Sequence, residues 1–192
     1  MSLILSSSSI FRKQLLDKLG VDFNTVSPEI DESHKSGETP EQLVFRLAQQ
    51  KAFAVAKTHS GLVIASDQVA TLKGEILGKP HTHENAIKQL EQSSGNSITF
   101  FTSLALLNTN TNKIQTIVEI TKVVFRVLSA EQIENYLQKE RPYNCAGSFK
   151  SEALGITLFE RIEGSDPNAL IGLPLIQLIK MLENEGIDIL QV

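Results

Sequence analysis

Short apolar runs alternate along the chain with longer stretches in which apolar residues recur every three or four positions, predicting strands and helices in turn. Leu3, Ile4 and Leu5 make the first strand. Four serines, residues 6–9, form a polar turn, and Ile10, Leu15, Leu16 and Leu19 then recur at helical spacing up to a stop at Gly20. Residues 21–26 predict a second strand. Thr39-Pro40-Glu41-Gln42 carries the cap, the first-turn proline and the reciprocal glutamine of a capping box. It opens a helix to about Lys57 that turns Val44, Leu47, Ala48 and Val55 inward. Leu62-Val63-Ile64-Ala65 reads as a buried strand that runs out into polar surroundings at Ser66-Asp67-Gln68. Lys73-Gly74-Glu75 predicts a turn between two short strands, and Thr82-His83-Glu84-Asn85 opens a helix through Leu90. Residues 97–107 and 113–128 predict a long hairpin with a polar tip at 108–112. Ser129-Ala130-Glu131-Gln132 is a second capping box, with Ile133, Tyr136 and Leu137 inward. Residues 155–162 predict a strand, and Leu173-Pro174 a last helix through Glu183. This is an α/β pattern without an internal repeat, and it predicts one domain of two lobes around a central cleft over residues 1–192.

Composition narrows the class. A chain of 192 residues with 41% hydrophobic and 21% charged residues has material for a substantial core. A net charge of −4 argues against a nucleic-acid polymer as partner, since such binding favours a basic face. The single cysteine, Cys145, excludes an intramolecular disulfide and a cysteine-rich zinc site. The opening Met-Ser-Leu-Ile-Leu lacks the basic region of a signal peptide, and no apolar run is long enough to span a bilayer. A cytoplasmic protein is expected.

Candidate chemistry sits where polar residues interrupt these patterns. Asp67 follows a buried strand, where ligands of α/β proteins tend to bind, although a carboxylate there also caps turns. The serine turn before a helix offers N–H groups and hydroxyls to an anion, with Arg12 one turn away; Ser8 or Ser9 as a simple N-cap is the plainer alternative. Residues 28–32 place Glu29, Asp31 and Glu32 in one loop, a solvated face or part of a magnesium site. Lys51 lies roughly 20° from Val44 around its helix, on the apolar stripe, where it snorkels to solvent or reaches inward to a phosphate. Gly78-Lys79-Pro80 returns another cation. Cys145 has no histidine partner in any motif and reads as a small buried residue. His34, His59, His81 and His83 show no ligand spacing and read as surface residues.

Three motifs together resemble the Maf family of nucleoside triphosphate pyrophosphatases. They are residues 3–16, from the first strand through Ser6, Ser7, Ser8 and Ser9 to Arg12; Ala65-Ser66-Asp67-Gln68-Val69 with Gly78-Lys79-Pro80; and Cys145-Ala146-Gly147-Ser148-Phe149-Lys150-Ser151-Glu152-Ala153-Leu154-Gly155, continuing through Phe159-Glu160-Arg161 and Gly164-Ser165-Asp166-Pro167-Asn168 to Gly172-Leu173-Pro174. Gln68 and the Ser148–Glu152 run look most like the subfamily acting on 7-methyl-GTP. Ile10 stands where the family usually has proline, Phe11 where this subfamily often has tryptophan, and Lys13 where arginine is common.

The resemblance implies a mixed, elongated β-sheet flanked by helices (Maf/ITPase-like), a homodimer, and hydrolysis to 7-methyl-GMP and pyrophosphate assisted by a divalent metal (Mg, Mn or Co). It implies Asp67 as base, Glu32 and Asp67 toward the metal, and Ser7, Arg12, Lys51 and Lys79 on the phosphates. Phe11, Gln68 and Glu152 would select the base: Phe11 by stacking, Gln68 by an amide with donor and acceptor, Glu152 by a carboxylate acceptor. Asp67 beside Lys51 and Lys79 favours an enzyme over a non-catalytic nucleotide-binding division regulator. The identities at 11, 68 and 152 speak against another modified nucleotide.

Overall fold

The computed structural model describes residues 2–191. In chain order the elements are β1 (Leu3–Ser6), α1 (Ile10–Asp17), β2 (Phe23–Val26), α2 (Pro40–Ala56), β3 (Leu62–Leu72), β4 (Glu75–Leu77), α3 (His83–Ser93), β5 (Ser97–Asn108), β6 (Lys113–Phe125), α4 (Ala130–Glu140), β7 (Phe159–Glu163), α5 (Pro167–Ile171) and α6 (Leu175–Asn184). Both capping boxes form as their residues require: Thr39 and Gln42 start α2, and Ser129 and Gln132 start α4, each pair bonding reciprocally. The mixed sheet has the order β2-β1-β3-β5-β6-β7, with β4 on β3. β1 runs parallel to both neighbours, Leu3 lying opposite Phe23 and Leu62, whereas β4 and β7 pair antiparallel. The protein is α/β, as its alternating pattern predicts.

The chain forms two compact units, Met1–Gln68 with Thr102–Glu119 and Asp166–Val192, and Val69–Phe101 with Ile120–Ser165. In the first, the period-two alternation of strands sorts the core onto the two faces of the sheet. Leu3, Leu5, Leu62, Ile64, Leu104 and Leu106 pack with Leu15 and Leu16 of α1 and Leu178 and Leu182 of α6. Ile4, Val63, Ala65, Ala105 and Leu107 pack with Ala48, Ala52 and Val55 of α2. Small residues on α2 let that helix lie close to the strands. The second unit has an aromatic centre: the Phe149 ring meets Phe100, Phe125 and Phe159 edge-on at centroid distances of 5.5, 5.5 and 4.9 Å. Each such pair contributes roughly 0.5–1.5 kcal/mol beyond its buried area.

Two local expectations are corrected, and one element joins those predicted. β3 does not run out at Ser66 but goes on to Leu72, 11 residues in all, so the turn at Lys73 and Gly74 follows a long strand rather than a short one. Residues 155–162 are not one strand, because a 3₁₀ turn at Leu154–Leu158 precedes β7. That turn requires glycine near its start: a Cβ on Gly155 would sit 2.2 Å from the Lys150 carbonyl oxygen. α5 is an element that hydrophobic spacing does not announce, because only Ala169 and Leu170 of its five residues are buried.

Candidate active site

β3 stays a strand through Ser66, Asp67 and Gln68 because each polar side chain has a partner on its own face of the sheet. Asp67 points to the face of Val63 and Ala65, toward α2. Its backbone N–H donates to Ser103 Oγ at 3.0 Å, and Ser103 Oγ lies 2.7 Å from the Val44 carbonyl oxygen of α2, to which it donates. Ser66 and Gln68 point to the opposite face. Ser66 Oγ donates to the Gly172 carbonyl at 2.7 Å, and Gln68 Nε2 donates to Thr102 Oγ1 at 2.8 Å. Thr102 and Ser103 are fully buried. They are the complement on β5 of the polar interruption on β3, and hydrophobic patterning alone does not single them out. Their signal in the sequence is slight: two hydroxyl residues between Phe101 and Leu104 in an apolar strand.

Lys51 reaches inward. Its side chain is 6% exposed, and its ammonium lies 2.6 Å from Asp67 Oδ1 and 2.8 Å from Glu32 Oε1. Ser6 Oγ donates to the Lys51 carbonyl at 2.9 Å, tying the end of β1 to α2 at this point. Asp67 is 7% exposed, whereas Glu32 is open to solvent. Two carboxylates converging on one cation are a donor set that fits a hard divalent ion, which takes one or two carboxylates and fills its shell with water and phosphate oxygens. Among the described residues no group of three or more His, Cys, Asp or Glu side chains is arranged as a protein-only metal cage.

The loop that carries Glu32 is held by Arg46, five residues before Lys51 on α2. Its Nε and Nη2 donate to Glu38 at 2.6 and 2.8 Å, Nη2 also donates to the Ser33 carbonyl, and Nη1 to Gln50. The bidentate guanidinium bond holds the Glu38 carboxyl at about 2, against an ordinary 4.5. A lowered folded-state value means the pair's contribution is complete above the ordinary value and fades as pH falls toward the folded one. Denaturant titrations of the parent and Arg46→Gln should differ most at neutral pH, and the gap should narrow as pH falls from 4.5 toward about 2. A gap independent of pH would show that Arg46 acts by packing alone.

The serine turn and Arg12 meet a second loop. Ser7 is buried and its Oγ accepts from Ser9 N–H at 3.0 Å, while Ser9 caps α1 through Arg12 N–H. Arg12 is half-buried and donates through Nε to the Gly172 carbonyl at 2.9 Å, the oxygen that also accepts from Ser66. Burial pulls the Arg12 guanidinium below its ordinary pKa, and the charges of Asp67 and Glu32 oppose that shift. Gly172 ends α5 at φ 127°, a conformation other residues rarely adopt, with the Arg12 side chain against it. Buried Asp166 fixes this loop: Oδ1 accepts from Asn168 N–H and caps α5, and Oδ2 accepts from Ile176 N–H at the start of α6.

Ser7, Arg12, Glu32, Lys51, Asp67 and Gln68 thus belong to the first unit, where Lys51 joins Asp67 to Glu32 and the Gly172 carbonyl joins Arg12 to β3. Phe11, half-buried in the first turn of α1, neighbours Arg12 in the chain. Lys79 and Glu152 belong to the second unit, both exposed. The segment bearing Glu152 is pinned by α4: Tyr136 Oη accepts from Lys150 N–H, and Glu140 takes the Lys150 ammonium at 2.9 Å and the Leu154 N–H at 3.2 Å. Cys145 is half-buried, a correction to its reading as a small buried residue, and what burial it has pushes its thiol pKa up. His34, His59 and His81 are exposed, but His83 is half-buried between Tyr143 Oη and Glu134, both at 2.9 Å, a correction to its reading as a surface residue. Gln68 is corrected too: its amide N–H₂ also donates to the Ala169 and Leu170 carbonyls, so its donors are taken.

A family model described as Maf-like protein matches residues 2–185. The chain belongs to the Maf-like family. A relative named 7-methyl-GTP pyrophosphatase, from Vibrio vulnificus (strain CMCP6), is 52% identical over 188 residues, covering 98% of this chain and 97% of the relative. The solved structure of the Staphylococcus aureus Ham1 protein superposes with a TM-score of 0.54 at 16% identity, covering 96% of this chain and 100% of that one. At that identity the likeness is one of fold, and this Maf-like chain shares the α/β architecture of Ham1. No helix among the described residues is long and apolar enough to cross a membrane.

Proposed function

We propose that this protein is a hydrolase of acid anhydrides that cleaves 7-methyl-GTP to 7-methyl-GMP and pyrophosphate. The observation that carries the substrate is 52% identity, over 98% of the chain, to a relative named for that activity. The chemistry is supported by the Asp67–Lys51–Glu32 cluster, in which Asp67 and Lys51 are buried and Glu32 faces solvent. Hydrolysis at the α-phosphorus needs an acceptor for the proton of the attacking water and positive charge for the departing pyrophosphate. Asp67 is the acceptor. Its carboxylate is paired with the Lys51 ammonium at 2.6 Å, and a triphosphate competes for that ammonium. Lys51 then holds phosphate oxygens, and the freed Asp67 oxygen faces water. Arg12, Lys79 and the Ser7 hydroxyl complete the phosphate grip. A divalent cation held by Glu32 and Asp67 would neutralise phosphate oxygens and stabilise the charge that develops on them.

The base is read by different residues. Methylation at N7 gives guanine a formal positive charge, which strengthens N1–H and N2–H₂ as donors. The Glu152 carboxylate accepts from that edge and attracts the charge, and the Phe11 ring adds a cation–π contribution of about 0.5–2 kcal/mol that unmethylated guanine lacks. Pyrophosphate release over a panel of normal and modified nucleoside triphosphates tests the reading, with 7-methyl-GTP the preferred substrate. Glu152→Ala should lower kcat/KM for 7-methyl-GTP by roughly ten- to a hundredfold, and for GTP much less. Equal losses for both substrates would remove Glu152 from base reading, and a panel in which 7-methyl-GTP is a poor substrate would overturn the assignment.

A further inference from the structure

We propose that Thr102 is a positioning residue for base recognition, which together with the carbonyls of Ala169 and Leu170 turns Gln68 into a group that only accepts hydrogen bonds. The inference rests on the substrate proposed above and adds to it the polarity of one recognition contact. Gln68 Nε2 is surrounded by three acceptors: Thr102 Oγ1 at 2.8 Å, the Ala169 carbonyl at 2.9 Å and the Leu170 carbonyl at 3.1 Å. Carbonyl oxygens have no proton to give, so the amide nitrogen and not the oxygen must face them. The Thr102 hydroxyl donates its one proton to the Ala169 carbonyl at 3.0 Å and therefore offers Gln68 a lone pair. The two carbonyls belong to the last turn of α5, where helical carbonyls turn outward for partners, and the Ala169 carbonyl also accepts the Gly172 N–H at 3.0 Å. Asp166, capping α5 and bonding to α6, holds that turn in place.

One polar atom of Gln68 is left over. Among the described residues no backbone or side-chain donor reaches its Oε1, and the residue is only half-buried. A fixed carbonyl oxygen selects a base edge that presents N–H donors and rejects one that presents acceptors. The N1–H and N2–H₂ edge of a guanine is such a donor edge, and N7 methylation makes its protons better donors. Thr102 is fully buried, and its hydroxyl is spent on Gln68 and the Ala169 carbonyl. It acts through Gln68, and a freely rotating amide would satisfy either kind of edge.

The test compares the full-length protein with Thr102→Val, which keeps the side-chain shape but removes both hydroxyl bonds, and Thr102→Ser, which restores them. In ¹⁵N-resolved spectra, with the Gln68 side-chain N–H₂ signals assigned from their loss in Gln68→Met, those protons should be protected from solvent exchange in the parent and in Thr102→Ser. In Thr102→Val they should exchange about tenfold faster or more, the order expected from losing one buried hydrogen bond. The preference in kcat/KM for 7-methyl-GTP over GTP should fall about three- to tenfold in Thr102→Val, through KM more than kcat, and return in Thr102→Ser. Gln68→Glu supplies an independent arm: a carboxylate cannot donate to the Ala169 and Leu170 carbonyls, so preference should be lost although an acceptor remains. Unchanged protection in Thr102→Val, or a preference that survives Gln68→Glu, would overturn the proposal. A parent with no preference for the methylated base would instead overturn the substrate assignment, and the exchange measurement would then decide the role of Thr102 alone.

Discussion

Asp67→Asn should lower kcat for 7-methyl-GTP by about 10²–10⁴-fold, the usual cost of removing a general base, while leaving the fold and nucleotide binding intact. The asparagine keeps the size of the side chain, and Ser103 still receives the backbone N–H at this position. Lys51 keeps Glu32 as a partner at 2.8 Å and an amide oxygen in place of the carboxylate. What the amide cannot do is take a proton from water. Steady-state kinetics together with nucleotide binding by calorimetry separate the two effects. Turnover within about threefold of the parent would remove Asp67 from its role as base, because losses to a general base begin near a hundredfold.

Lys51→Met is the second large effect, and it should appear in stability as well as in rate. The substitution keeps the volume and the apolar stem but leaves Asp67, 7% exposed, beside Glu32 without their shared cation. Breaking a buried pair by removing one partner destabilises by roughly 3–5 kcal/mol, and the exposure of Glu32 puts this case at the lower end, about 3 kcal/mol. The kinetic loss should be roughly ten- to a hundredfold in kcat/KM, with binding of the triphosphate weakened far more than that of the nucleoside. A double variant separates the two roles. Adding Asp67→Asn to Lys51→Met neutralises the orphaned carboxylate and should recover part of the lost stability but none of the activity. Full stability in Lys51→Met alone would mean that the pair contributes little to folding. Equal weakening of nucleoside and triphosphate would mean that Lys51 shapes the fold and does not grip phosphate.

What could be read from the chain divides along the range of the interactions involved. The two capping boxes, the proline at the start of α2 and the glycine stop near α1 are settled within a few residues, and they form as written. Lys51 is conspicuous on an apolar stripe for the same reason, since seven residues of helix fix its direction. The course of β3 is easily misread because its outcome is decided elsewhere. Ser66, Asp67 and Gln68 look like the end of a strand until Thr102 and Ser103 on β5, Val44 on α2 and the carbonyls of residues 169–172 are brought beside them. Polar residues buried in pairs leave only a faint trace in sequence, two interruptions in two apolar runs more than thirty positions apart.

Gln68 shows the same limit at the level of chemistry. An unpartnered glutamine offers donors and an acceptor, and only the fold reveals that the donors are already in use. Arg46 and Glu38 are equally quiet in the sequence, eight positions apart across a loop and a helix start, yet they hold the segment that brings Glu32 to Lys51. Asp166 stands within a recognisable motif, but its task of capping one helix while bonding to the next depends on how the chain returns after Pro174.

The central proposal, water attack at the α-phosphorus of 7-methyl-GTP, is tested most directly by hydrolysis in ¹⁸O-enriched water with the products resolved by mass spectrometry. The expected result is one ¹⁸O atom in 7-methyl-GMP and none in the pyrophosphate released with it. Label in pyrophosphate, or labelled orthophosphate as a product, would place the attack at another phosphorus and contradict the role of Asp67 as the base for attack at the α-phosphorus.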